Sequence, residues 1–301
     1  MPARTHNPLF PLACIAAALL ACTLVACGCS RKASEPHAQQ EQEKPAEEIV
    51  VDASEAVTEE SAEKPTPSQP DPRDTDFAVN PNRTDWNYEA GETKMVYLTF
   101  DDGPSAHTAE VLDILDRYGI KATFFVTGIN PDYLDMIGEC YRRGHTIGMH
   151  TYTHDYAQVY ASVDAYWADL NAIADVVREQ IGYVPCFIRF PGGSSNTISA
   201  NYTVGIMSQL SQDVLAAGYQ YYDWTASCGD GAVHTADELV EATKADTSYG
   251  YTSIVFLMHD GADKATTVEA LPRIIEYFQS EGYAFAPLDR STPVPHHGIG
   301  N

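Results

Sequence analysis

From residue 94 onward the chain alternates between two kinds of segment. Short runs rich in apolar, β-branched and aromatic side chains read as strands: MVYLTF (95–100), ATFFVT (122–127), HTIGMH (145–150), CFIRF (186–190), YQYYDW (219–224), SIVFLM (253–258) and YAFAPL (283–288). Between them the pattern predicts six helices, starting near Thr108, Pro131, Ser162, Thr203, Thr235 and Thr266. The first of these puts Val111, Leu112, Leu115 and Tyr118 on one face, Asn130-Pro131 opens the second, and Gly119, Gly144 and Gly218 stand at helix ends. Seven strands separated by helices predict a parallel α/β sheet, open or closed into a barrel, in a single domain without internal repeats.

The N-terminal third has a different pattern. Residues 9–26, LFPLACIAAALLACTLVA, form an apolar run behind a short head carrying Arg4, as in a secretory leader. The run ends in Leu24-Val25-Ala26-Cys27, which resembles a bacterial lipobox, so residues 1–29 read as a signal peptide with lipid attachment at Cys27. Cys22 is a second candidate, and at 18 residues the run could also remain as an uncleaved signal anchor. Residues 30–92 are rich in Glu, Ala, Pro and Gln. With 16 acids and 6 bases over 31–92, this stretch reads as a disordered, self-repelling linker. The folded domain is then expected over 93–301, outside the cytoplasm and tethered to a membrane.

Composition narrows the partners. The net charge of −24 repels phosphate backbones and argues against nucleic acid. Four of the seven cysteines (Cys14, Cys22, Cys27, Cys29) lie in or beside the leader. Cys140, Cys186 and Cys228 remain in the body, where buried free thiols are expected and one disulfide stays open.

Candidate chemistry collects at strand ends. Asp101 and Asp102 follow the first strand in TFDDGP, and His150 ends the third, with His154 four residues on in HTYTH. Arg189 lies at the end of the fourth in RFPGG, Asp223-Trp224 end the fifth, and His259 and Asp260 follow the sixth. In parallel α/β folds the C-terminal ends of strands are where sites are built. Two imidazoles and one carboxylate suit Zn²⁺ with open positions for water and substrate, and the same set serves non-haem iron oxygenases. Adjacent aspartates can divide the work, one on the metal and the other free as a base.

TFDDGP, HTYTH, RFPGG, Asp223-Trp224 and LMH (257–259), in this order, resemble the five motifs of the polysaccharide deacetylase family, carbohydrate esterase family 4 (the NodB homology domain). The resemblance spans residues 93 to about 290 and implies a distorted (β/α)7 barrel. It implies that Asp102, His150 and His154 hold one divalent metal ion, Zn foremost, with Co, Ni, Mn or Fe as alternatives. Asp101 would be the general base, paired with Arg189, and His259 the general acid, oriented by Asp223. The backbone N–H of Gly192 would help the metal hold the oxyanion, and Leu257 and Trp224 would wall the acetyl pocket. Two departures stand out. Asp155 follows HTYTH where Pro or Ser is frequent, and Trp224 directly follows Asp223 where the family pattern is Asp-x-x-Trp. The expected activity is N-deacetylation of a cell-wall glycan by a monomer, with peptidoglycan N-acetylglucosamine as substrate. Chitooligosaccharides, O-acetyl xylan and an inactive glycan-binding surface lipoprotein are the alternatives.

Overall fold

The computed structural model describes residues 72–301. Among the described residues, eight strands form one all-parallel sheet: β1 (Met95–Asp101), β2 (Thr123–Thr127), β3 (Thr146–Thr151), β4 (Phe187–Ile188), β5 (Gln220–Tyr221), β6 (Ala226–Ser227), β7 (Ser253–His259) and β8 (Ala284–Phe285). Their order is β5-β4-β3-β2-β1-β7-β6, with β8 beside the lower half of β1. Among the described residues the edge strands β5 and β6 do not pair, so the curled sheet stays open as a half-barrel with helices around it. This is the distorted (β/α)7 barrel anticipated above, with the two-residue β6 as an addition.

The helices are α1 (Pro72–Asp76), α2 (Thr108–Tyr118), α3 (Asp135–Arg142), α4 (Tyr156–Val159), α5 (Val163–Ile181), α6 (Ile206–Ala216), α7 (Ala236–Asp246) and α8 (Ala265–Ser280). Local chemistry sets their ends. Ser162 caps α5, accepting from the Ala165 N–H, and Thr235 with Glu238 forms a full capping box on α7. Gly119 ends α2 in the left-handed region at φ +66°.

β1 lies at the centre of the sheet. It is covered on both faces, which is why its sequence is a continuous apolar run rather than an alternating one. Its register brings Asp101 level with His259 on β7 and with Phe125 on β2. Cys140, Cys186 and Cys228 are buried free thiols.

The expected linker over 30–92 needs correction in its last third, while residues 30–71 lie outside the described residues. Phe77 is buried against the Phe187 ring at 5.1 Å, and the Ala78–Pro185 bridge is flanked by hydrogen bonds from Cys186 N to Phe77 O and from Val79 N to Val184 O. Further along, Arg290 stacks 3.9 Å over Trp86 and pairs with Asp85 at 2.7 Å. The Asn80 backbone fills the space that a side chain on Gly218 would need. The folded part therefore starts by residue 72, not 93. Burying one large apolar side chain stabilises by about 1.5–3 kcal/mol. A domain of this size shifts in Tm by about 2–4 °C per kcal/mol. A chain starting at residue 93 is thus expected to melt at least about 5 °C below one starting at residue 72. Equal melting curves in a thermal scan would contradict this packing.

Candidate active site

The three expected metal ligands meet at the top of the sheet. Asp102 leaves β1 with φ +71°, and His154 follows β3 with φ +51°. Both are non-glycine residues in the left-handed region, a conformation that the surrounding structure must enforce and that concentrates at functional sites. One donor atom from each of Asp102, His150 and His154 falls within 4.8 Å of the others.

Electrostatics decides what this cluster is. His150 Nδ1 lies 2.6 Å from the Arg189 carbonyl, so it carries the proton, and Nε2 faces Asp102 Oδ1 at 3.7 Å with a lone pair. Burial, reinforced by neighbouring His154, lowers the His150 pKa to about 3, so the ring is neutral and does not form an ion pair. His154 Nε2 lies 3.2 Å from the same oxygen. Among the described residues, the buried Asp102 Oδ1 has no hydrogen-bond partner. Electron pairs that face one another across a buried gap are unfavourable unless a cation joins them. The donor set fits a divalent ion such as Zn²⁺.

Asp101 stands apart from the cluster. The buried Arg189 guanidinium donates to its Oδ1 at 2.8 Å and to Thr99 Oγ1, Tyr222 O and Asp223 O, and lies 4.2 Å over the Phe125 ring. Asp101 Oδ2 points toward His150, 4.0 Å from Nε2. Burial pushes the Asp101 carboxyl upward, and the charges of Arg189 and His259 oppose it. Arg189 thus anchors one oxygen and leaves the other available as a base.

The orienting partner of His259 is not Asp223. His259 Nδ1 lies 2.8 Å from Asp230 Oδ1, and Asp230 Oδ2 accepts from the His259 N–H and the Thr267 hydroxyl, each at 2.8 Å. Burial alone would lower the His259 pKa. The hydrogen bond and charge of Asp230, with the charges of Asp101 and Asp102, lift it to about 9. Burial likewise pushes Asp230 up, but its bonds to His259 hold it below the ordinary carboxylate value. Asp223 instead braces two loops, accepting from Ser194 N and Oγ and from the His297 N–H of the C-terminal tail. The backbone bends after β5, so Asp223 faces the RFPGG turn, while the Gly-flanked Asp230 ahead of α7 reaches β7. The departure in spacing at Asp223-Trp224 was the one sequence signal for this.

Asp101, Asp102, His150, His154 and His259 line a cleft of about 220 Å³ with Tyr156, Gly192, Trp224, Gly231, Leu257 and Lys264. Gly192, Trp224 and Leu257 were expected there; Tyr156 and Lys264 were not, nor was Asp230 behind His259. Asp260 lies outside the cleft lining, its carboxyl held by the Thr108 hydroxyl and raised by burial to about 7. A larger groove of about 590 Å³ between α7 and α8 carries none of this chemistry; its Arg273 and Lys244 already pair with Asp237 and Glu241.

A base and an acid on neighbouring strands, flanking a three-donor cluster in a small cleft, are the equipment of a hydrolase. Comparison with known proteins narrows the class. The family model for polysaccharide deacetylases matches residues 88–207. A peptidoglycan-N-acetylglucosamine deacetylase of Bacillus cereus is 30% identical over 220 residues, covering 69% of this chain and 74% of its own. Among solved structures, the catalytic domain of peptidoglycan N-acetylglucosamine deacetylase from Eubacterium rectale is 42% identical, with a TM-score of 0.67, over 77% of this chain and 100% of that one. A carbohydrate esterase family 4 enzyme of Streptococcus mutans superposes with a TM-score of 0.57 at 27% identity, over 70% and 96% of the two chains. The chain belongs to the polysaccharide deacetylase family, carbohydrate esterase family 4.

Proposed function

We propose that the protein is a metal-dependent glycan N-deacetylase acting on peptidoglycan N-acetylglucosamine. The observation that carries this is the buried Asp102 Oδ1, without a hydrogen-bond partner among the described residues, facing the neutral His150 imidazole and the His154 Nε2 atom, with a fixed carboxylate on one side and a charged imidazole on the other. Asp102, His150 and His154 would hold the ion, which when bound supplies Lewis acidity toward the acetyl carbonyl and the attacking water. Asp101 takes the proton of that water as its oxygen adds to the carbonyl carbon. Arg189 keeps Asp101 aimed throughout. His259, protonated below about pH 9, gives its proton to the amide nitrogen as the C–N bond breaks, leaving acetate and a free amine. Asp230 holds the imidazole so that Nε2 carries that proton. An amide nitrogen leaves poorly unless protonated, so a dedicated acid favours N- over O-deacetylation.

The names of the similar proteins support peptidoglycan as the substrate, and the leader with Cys27 supports a position at the extracytoplasmic face of a membrane. The test is acetate release by residues 72–301, with and without a chelator, from muropeptides, chitooligosaccharides and acetylated xylan. Muropeptides should be turned over fastest, and stripping the metal should abolish turnover until a divalent ion is restored. Chelator-resistant turnover would refute metal dependence, and a preference for xylan would refute the substrate.

A further inference from the structure

Gly192 faces the cleft at φ +75°, and the space where a side chain would begin is already taken. A Cβ built there would lie 2.6 Å from the Tyr156 hydroxyl and 3.1 Å from Asn196 Cβ. The absence of a side chain at residue 192 is what lets a phenol seat its oxygen against this turn. The Tyr156 ring is held edge-on between His154 at 5.9 Å and Tyr160 at 5.5 Å. Tyr160 in turn donates its hydroxyl to Pro191 O at 2.8 Å, next to Gly192. Ring and turn are therefore tied together, and the hydroxyl has a fixed address. Among the described residues none hydrogen-bonds to it, although it lines the same cleft as Asp101, Asp102, His150 and His154.

We propose that Tyr156 is a catalytic residue that donates its hydroxyl hydrogen to the acetyl oxygen as that oxygen gains negative charge, beside the Gly192 turn. This rests on the deacetylase reading of the cleft. As water adds to the carbonyl carbon, the C=O electron pair moves onto oxygen. As the C–N bond breaks the pair returns, and the Tyr156 proton stays on the phenol throughout. A neutral donor suits a cleft that already holds two aspartates, because it stabilises the new charge without adding one of its own.

The test is Tyr156→Phe in metal-reconstituted protein, reading acetate release and metal content together. Removing one such donor should lower kcat about 10²-fold, with KM within about twofold and a full equivalent of metal retained. A wild-type kcat in the variant would overturn the inference. So would a loss of metal matching the loss of rate, since Tyr156 would then only brace His154. Gly192→Ala gives an independent reading, because its Cβ displaces the hydroxyl. In that background Tyr156→Phe should cost little more, whereas a full, additive second loss would also overturn the inference. If wild-type protein releases no acetate from any glycan, the deacetylase reading fails and this inference with it. If wild type turns over and Tyr156→Phe matches it, this inference alone fails.

Discussion

Asp101→Asn protein is expected to keep its full complement of metal and lose at least about 10²-fold in turnover, the scale of removing a general base. The asparagine can still accept the Arg189 hydrogen bond through Oδ1, but it cannot take a proton from water. Asp102→Asn should fail differently. It replaces the anionic member of the cluster by a neutral one, so metal content should fall and excess metal should restore part of the activity. No added metal should rescue Asp101→Asn. That variant also leaves the buried Arg189 without its counter-charge, a change that costs about 3–5 kcal/mol when a buried pair is broken. Both variants should therefore be assayed well below their melting temperatures, with metal measured on the assayed sample. Metal lost from Asp101→Asn and kept by Asp102→Asn would reverse the two roles.

Asp230→Asn is the second large effect. With Asp230 ionised, His259 stays protonated up to about pH 9. Because catalysis needs the acid form, activity should hold below that value and fall as pH rises through it. Without the Asp230 hydrogen bond and charge, burial is opposed only by the charges of Asp101 and Asp102, so the His259 pKa should drop well below 9. At pH 8 the protonated fraction would then fall, and the alkaline limb of kcat should move down by at least about one pH unit, the scale on which a lost opposite charge and hydrogen bond shift a pKa. Lowering the pH should recover part of the loss. Asp223→Asn should leave that limb in place, since Asp223 touches Ser194 and His297 but not His259. An alkaline limb that shifts in Asp223→Asn and not in Asp230→Asn would restore the assignment suggested by the family motif.

That contrast shows where sequence reasoning reached and where it stopped. β1 and β7 were readable because a central parallel strand is apolar on both faces over its whole length. β4, β5 and β6 keep only two residues each in the ladder, because the backbone departs early to build RFPGG and the turn to Asp230. That Asp102, His150 and His154 come together was readable because they stand at or just beyond the C-terminal ends of β1 and β3, two neighbours of β2 in a parallel sheet. The partner of His259 depends on how a short irregular turn bends after β5, and linear order carries no such information. Tyr156 was hidden for another reason: its role comes from the missing side chain at Gly192, a contact between residues far apart in the chain. Residues 72–92 were misread because composition averaged over a long acidic stretch submerges two anchors, Phe77 and Trp86, that only tertiary contacts reveal.

The proposed reaction is hydrolysis of an amide on a glycan in this cleft, with Asp101 as base and His259 as acid. The most direct measurement follows acetate and new primary amines in one sample of N-acetylated muropeptides treated with metal-loaded residues 72–301. Equal molar amounts of the two products are expected, abolished by chelation and reduced at least about 10²-fold in Asp101→Asn. Acetate without matching amines would make the protein an ester hydrolase, and no acetate from fully metal-loaded protein would rule out deacetylation outright.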